Sequence, residues 1–157
     1  MKLHKFTHEY WMRKALNLAK EAYEKGEVPC GSIIVFEDSI IGKGYNQVES
    51  LKDATAHAEM IAMTSAANYL QNWRLENCSL YVTKEPCLMC AGAILNSRVS
   101  KVVFSAYDEK EGAAGSKYDV MRENRKWFVE IIPGIMENEG ESILKSFFQR
   151  VREKNEN

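Results

Sequence analysis

Apolar residues return at helical spacing from Trp11 through Ala15, Leu18, Ala19, Ala22 and Tyr23. The pattern predicts a first amphipathic helix, with Thr7 placed to cap its start and Gly26 to stop it. Two β-rich runs follow, residues 32–36 and 40–46, around the polar triplet Glu37, Asp38 and Ser39, which reads as a hairpin. A polar loop then leads to Asp53. A second stripe at i, i+3, i+4 runs through Ala58, Ile61, Ala62, Ser65, Ala66, Tyr69 and Leu70, predicting a helix that begins near Thr55 or Ala56. Residues 79–83 read as a short buried strand. Pro86 suits the first position of a third helix, where proline loses no hydrogen bond, and Ile94 and Leu95 continue that helix's inner face.

Residues 101–106 form a further strand pattern. The stretch from Tyr107 to Asp119 mixes glycine, alanine and charge without a period, so it predicts a loop, ending in a short helix before Asn124. Residues 127–132 predict the last strand, closed by Pro133 and Gly134. From Ile143, the apolar residues Leu144, Phe147, Phe148 and Val151 define a C-terminal amphipathic helix. A hairpin, then alternating strands and helices, with helices at both ends, predicts an α/β fold of three layers, α/β/α, around a central mixed five-stranded sheet. Residues 1–157 are expected to form one domain, with a core of about 6–152 and a short polar tail.

Composition narrows the function classes. The chain has 157 residues, 45% apolar and 27% charged, enough to bury a core of its own. It has no run of about 18 apolar residues and no signal-like apolar start, so the expectation is a cytoplasmic protein with no membrane partner. The net charge of −1 supplies no chain-wide basic field. Nucleic acid would have to be met by local patches: Lys117, Arg122, Arg125 and Lys126 in one segment, and Arg150, Arg152 and Lys154 in the last helix. A solvated helix face is the plainer explanation of both. Four cysteines are too few for a disulfide scaffold and leave packing, metal binding or catalysis as their uses.

Cys87 and Cys90 form a Cys-x-x-Cys pair at the start of the predicted third helix, and His57 and Glu59 stand at the start of the second. Taken alone the pair could be two buried thiols or a redox couple. Residues at i and i+3 share a helix face, and helix N-termini favour thiolate, so the two cysteines can grip one ion. With His57 they make three ligands, the count of a catalytic zinc site whose fourth position is left for water. Glu59 is two residues from His57, roughly 200° around a helix, so both serve one site only where the chain is just entering the helix. His-x-Glu followed by Pro-Cys-x-x-Cys resembles the signature of zinc deaminases. Zinc brings the pKa of bound water toward ~7, and a carboxylate such as Glu59 can carry its proton to the leaving amine.

The segments FTHEYWMRKALNLAKEA, GEVPCGSIIV, DATAHAEM, LYVTKEPCLMCAGAIL, SRVSKVVFSAYDEKEGAAGS and SILKSFF together resemble the bacterial tRNA-specific adenosine deaminases, from about Phe6 to Arg152. The resemblance implies the cytidine-deaminase-like fold, a homodimer, one Zn2+ per subunit, and hydrolysis of the wobble adenosine of a tRNA anticodon stem-loop to inosine. It makes His57, Cys87 and Cys90 the zinc ligands and Glu59 the acid and base. It also implies that Asn46 contacts the target nucleoside, that Asp108 helps hold the anticodon-loop backbone and ribose, and that Phe148 packs on flanking nucleotides. Read without the resemblance, Asn46 would close a strand, Asp108 would cap a turn and Phe148 would belong to the helix core.

The chain departs from the family pattern at Ala54, where proline is usual, and at Lys84, usually apolar. It departs again at Arg122 to Phe128, and where EGES replaces a Glu-Cys pair. Two rival readings use the same residues. One is deamination of a free base or nucleoside such as guanine, cytosine or cytidine. The other is an RNA-binding subunit with a structural zinc, which would need a fourth ligand from Cys30, Cys78, His4 or His8.

Overall fold

The structure, a computed structural model, describes residues 4–157; the first three residues of the expected domain lie outside it. Helix α1 (His8–Glu24) starts where the Thr7 hydroxyl accepts the Tyr10 N–H at 3.1 Å and ends where Gly26 takes a positive φ of 76°. Both ends fall where the sequence places them. Its inner face is Trp11, Met12, Ala15, Leu16, Ala19 and Ala22. Leu18 and Tyr23, expected on that face, are only half-buried.

Strands β1 (Gly31–Phe36) and β2 (Ser39–Tyr45) form the expected antiparallel hairpin. Its turn is two residues, Glu37 and Asp38, both with positive φ, so Ser39 already belongs to the strand. A short helix α2 (Val48–Leu51) occupies the stretch expected to be plain loop.

Helix α3 (Ala58–Leu70) begins later than the sequence suggests, because His57, not Thr55, takes the N-cap. Thr55 is drawn back instead onto Asp53, whose Oδ1 accepts both its N–H and its hydroxyl. The buried face of α3 is Ala58, Glu59, Ala62, Met63 and Ala66; Ser65 and Tyr69 face outward, so the expected stripe is rotated. This helix lies almost on the backbone of β2: a methyl group on Gly42 or Gly44 would collide with the carbonyls of Ala62 or Ala58. Glycine under alanine allows that approach.

Strand β3 (Ser79–Lys84), helix α4 (Leu88–Asn96) and strand β4 (Lys101–Ala106) form a parallel crossover unit. Cys87 is the N-cap of α4, which puts Pro86 one residue ahead of the cap rather than in the first turn. Helix α5 (Val120–Glu123) is the short helix expected before Asn124. Strand β5 (Glu130–Ile132) is shorter than predicted. Trp127 turns aside to donate its Nε1–H to the Val99 carbonyl at 2.8 Å, leaving Phe128 83% exposed. Helix α6 (Glu137–Asn155) starts six residues before Ile143. Its first turns are acidic, which suits a helix N-terminus, and they bury only Gly140, against Ser105 and Thr83, so no apolar period marks them.

The sheet order is β2-β1-β3-β4-β5, with the β1 pairings antiparallel and the β3, β4 and β5 pairings parallel. This is the mixed five-stranded α/β sheet that the sequence predicts. Alternation along the strands divides the core. Ile33, Val35, Tyr81 and Val103 meet α1 on one face, with α6 beside it. Ile34, Leu80, Val82, Val102 and Phe104 meet α3 and α4 on the other. Each such fully buried side chain contributes on the order of 2 kcal/mol of apolar burial. No helix among the described residues is long and apolar enough to cross a membrane.

Candidate active site

The carboxyl ends of the parallel strands β3 and β4 face the N-termini of α3 and α4, and a pocket of about 440 Å³ opens there. Such an edge is where α/β sheets commonly receive ligands. His57 has extended backbone (φ −74°, ψ 152°), so its ring projects past the end of α3 and not along its side. Cys87 does the same at α4 (φ −77°, ψ 176°), and Cys90 follows on the first turn. The consequence is convergence. His57 Nδ1 lies 3.5 Å from Cys87 Sγ and 3.6 Å from Cys90 Sγ, and the three donor atoms all lie within 4.8 Å of one another.

Those distances test the donor set against zinc. Bonds of about 2.3 Å to sulfur and 2.05 Å to nitrogen at a tetrahedral angle would separate the donors by about 3.6 Å. The spacing fits. Two sulfurs and one imidazole also match the ion's preference, and no fourth group joins them among the described residues. Cys30 lines the same pocket but is turned to Glu59, with Sγ 3.9 Å from Oε1. Cys78 is buried in the core, and His8 is bound to the Tyr81 hydroxyl at 2.9 Å.

The electrostatics divide labour among these groups. Cys87 is drawn down to about 3, first by the hydrogen bond from Cys90 and then by that with His57, while the same sharing pushes Cys90 up. His57 is raised, chiefly by its contact with Cys87. Glu59, 4% exposed on the first turn of α3, is raised above the usual carboxylate range by burial. A carboxyl so placed can hold a proton as well as release it. Burial, followed by the nearby Glu59 charge, raises Cys30 so far that it stays a thiol.

Asn46 closes β2 and is nearly buried at the pocket wall. Its Oδ1 accepts the Val48 N–H at 3.2 Å, which orients the amide and leaves Nδ2 as the donor for a ligand. Asp108 lines the pocket as well, where Oδ2 meets Lys84 Nζ at 3.1 Å and Oδ1 accepts the N–H groups of Lys110 and Glu111. Burial alone would raise its pKa, but the Lys84 hydrogen bond and charge outweigh this and hold the carboxyl below its ordinary value. Lys84 is raised for the reciprocal reason, with Asp108 overcoming the opposing effect of burial.

Phe148 does not line this pocket. It is 43% exposed on α6, stacked edge-on against the buried Phe147 at 5.4 Å. The basic residues 117, 122, 125, 126, 150, 152 and 154 are all exposed; Arg122 pairs with Asp119 and Lys126 reaches Asn96 Oδ1.

Two buried acids escaped the sequence reading. Glu85 accepts the N–H groups of Asp108, Ala114 and Ser116 and the Ser116 hydroxyl. Glu27 accepts those of Glu49 and Ser50 and the Ser50 hydroxyl. The only hint was an acid set directly before each Val-Pro-Cys or Pro-Cys segment.

An imidazole and two cysteine sulfurs on adjacent helix starts, beside a buried glutamate, define the zinc-dependent deaminase class, and residues 5–106 match the family described as the cytidine and deoxycytidylate deaminase zinc-binding region. The tRNA-specific adenosine deaminase of Bacillus subtilis is 44% identical over 147 residues, covering 93% of this chain and 91% of the relative. The chain belongs to the tRNA-specific adenosine deaminase family within that class. A solved structure from a study of A-to-I editing by tRNA:A34 deaminases superposes with a TM-score of 0.83 at 35% identity, covering 86% of this chain and 99% of the other. Guanine deaminase from Bacillus subtilis is similar too: TM-score 0.64 at 37% identity, over 73% of this chain and 72% of the other.

Proposed function

We propose that the chain catalyses hydrolytic deamination of the wobble adenosine of a tRNA anticodon loop, giving inosine and ammonia. The observation that carries the reading is the convergence of His57, Cys87 and Cys90 beside a buried Glu59 on the floor of an open pocket, in a chain of this family. His57, Cys87 and Cys90 would hold one zinc ion per subunit, and the ion would supply a water acidic enough to lose its proton near neutral pH.

Glu59 takes that proton. It delivers it to adenine N1 as the water oxygen bonds to C6, and carries a second to the exocyclic nitrogen as the C6–N6 bond breaks. Water and adenosine enter; inosine and ammonia leave. Burial of Glu59, which raises its affinity for a proton, suits a group that must hold one between the two transfers. Asn46 Nδ2 offers a donor to the acceptor-rich edge of adenine or its ribose, and Asp108 Oδ2 an acceptor to a ribose hydroxyl. The exposed Phe148 ring is free to stack on a flanking base. The same family reading makes the protein a cytoplasmic homodimer acting as one domain.

The similarity to a guanine deaminase makes free-base deamination the rival. Purified protein given an anticodon stem-loop should form inosine at the wobble position, and release little ammonia from guanine, cytosine or cytidine. Turnover of the free bases alone would reject the tRNA reading.

A further inference from the structure

Loop 107–119 has no regular structure over most of its length, yet its path is closely held at the pocket wall, and the hold comes from two consecutive residues at the end of β3. Lys84 is the last residue of β3 and Glu85 follows it, and both reach Asp108. Glu85 points inward, 3% exposed, and the loop wraps its carboxylate. Oε1 accepts the Asp108 N–H at 3.2 Å and the Ser116 hydroxyl; Oε2 accepts the Ala114 N–H at 3.0 Å and the Ser116 N–H at 3.1 Å. Gly112 packs on this carboxylate so closely that any side chain there would strike it. Among the described residues the carboxylate makes no salt bridge; three backbone N–H groups and the Ser116 hydroxyl meet it, a nest made from the loop itself.

Lys84 points to the pocket and takes Asp108 Oδ2 at 3.1 Å. Since Asp108 Oδ1 is occupied by its own turn, Lys84 fixes the direction of the one oxygen left for a ligand. Among the described residues it is also the one lysine or arginine lining the pocket, where Glu59, Glu85, Asp108 and Glu111 are acidic. A polyanionic substrate meets that wall with part of its negative charge already neutralised.

We propose that Lys84 and Glu85 are positioning residues that hold the loop in its binding shape before RNA arrives, Glu85 by the backbone and Lys84 by the Asp108 carboxylate, so that Asp108 is presented to the substrate ribose. The proposal rests on the tRNA reading above. Neither residue touches the reacting atoms, so the clamp acts on substrate affinity and leaves the chemical step alone. Glu85→Gln keeps the size but aims an amide N–H at loop donors. Lys84→Met keeps the stem and removes the charge, and Lys84→Arg restores it.

The test is steady-state deamination of an anticodon stem-loop, with zinc content and melting temperature measured on the same samples. Glu85→Gln should raise KM by about tenfold or more, as expected for a lost charged hydrogen bond, with kcat within about threefold of wild type and zinc content equal. Lys84→Met should raise KM by about three- to tenfold, and Lys84→Arg should bring it back. If Glu85→Gln does not fold, Ser116→Ala removes one of the four bonds and should raise KM in the same sense by a smaller factor. Unchanged KM in these variants, or a fall in kcat at constant KM, overturns the clamp while leaving the function standing. Wild-type protein that makes no inosine overturns the function, and the clamp falls with it.

Discussion

The two walls of the pocket are built by different physics. On the metal side, His57, Cys87 and Cys90 sit on the caps and first turns of two helices whose inner faces, Ala58, Ala62, Ala91 and Ile94, are fully buried against the sheet. On the side proposed for recognition, Asn46 and Asp108 sit on irregular chain tied down by buried carboxylates, Glu27 under residues 49–50 and Glu85 under residues 108–116. Apolar packing is non-directional and sums over many contacts. Polar tethers are few, directional and costly to leave half-made. The metal wall should therefore tolerate little drift in position yet survive many substitutions, and the recognition wall should adapt easily between substrates while depending on a handful of bonds. The similarity to both a tRNA deaminase and a guanine deaminase fits a fixed chemical wall facing an exchangeable one.

The largest effect should come from the metal wall itself. Stripping zinc with a chelator should remove measurable deamination and lower the melting temperature, since an ion held by His57, Cys87 and Cys90 would tie α3 to α4 and bind the folded state only; added zinc should restore both. Activity that survives at zero zinc by elemental analysis would break the comparison at its root. Next, Glu59→Gln should lower kcat by about 10²- to 10⁴-fold with zinc retained and KM little changed, because it removes the proton carrier and keeps the shape. A variant with full kcat would remove Glu59 from the chemistry.

The neighbouring phenylalanines of α6 sharpen the contrast at smaller scale. Phe147→Ala, which empties a buried site packed on Tyr23, should cost about 3 kcal/mol in urea unfolding. Phe148→Ala should cost about 0.5 kcal/mol or less and raise KM for the stem-loop severalfold. If Phe148→Ala leaves KM alone, the ring has no part in recognition.

The smallest signal concerns the thiols. In zinc-stripped protein at pH 8, iodoacetamide should label Cys87 first. Its pKa of about 3 lies far below that pH, so it is already thiolate. Cys78, raised to about 11 by burial, and Cys30, raised further, are protonated at that pH and should be spared, gaining reactivity only as pH rises toward their values. Zinc should protect Cys87, and rapid labelling of Cys30 would contradict its burial against Glu59.

How much of this was visible in the chain alone follows the same division. That His57, Glu59, Cys87 and Cys90 stand together at one pocket could be expected from their spacing because each pair belongs to one helix start. The outward turns of Ser65, Tyr69 and Phe148 could not, since helical period fixes which residues share a face but not which face meets the sheet. The start of α6 at Glu137 was hidden for a related reason: turns that bury only Gly140 leave no apolar signature.

The sequence by itself determined the alternation that makes five strands and their flanking helices, the cap at Thr7 and the stop at Gly26, and the donor types that select a zinc-like ion. These are local properties, written within a few residues of one another. Only the tertiary structure decided that His57 Nδ1 stands 3.5 Å from a sulfur 30 residues away. It alone gave Lys84 its Asp108, 24 positions on, and let Glu85 gather a loop from 23 to 31 residues ahead. Such partners meet because the sheet fixes where β3 and β4 end, and a polar tether carries no periodic signal in the chain that makes it.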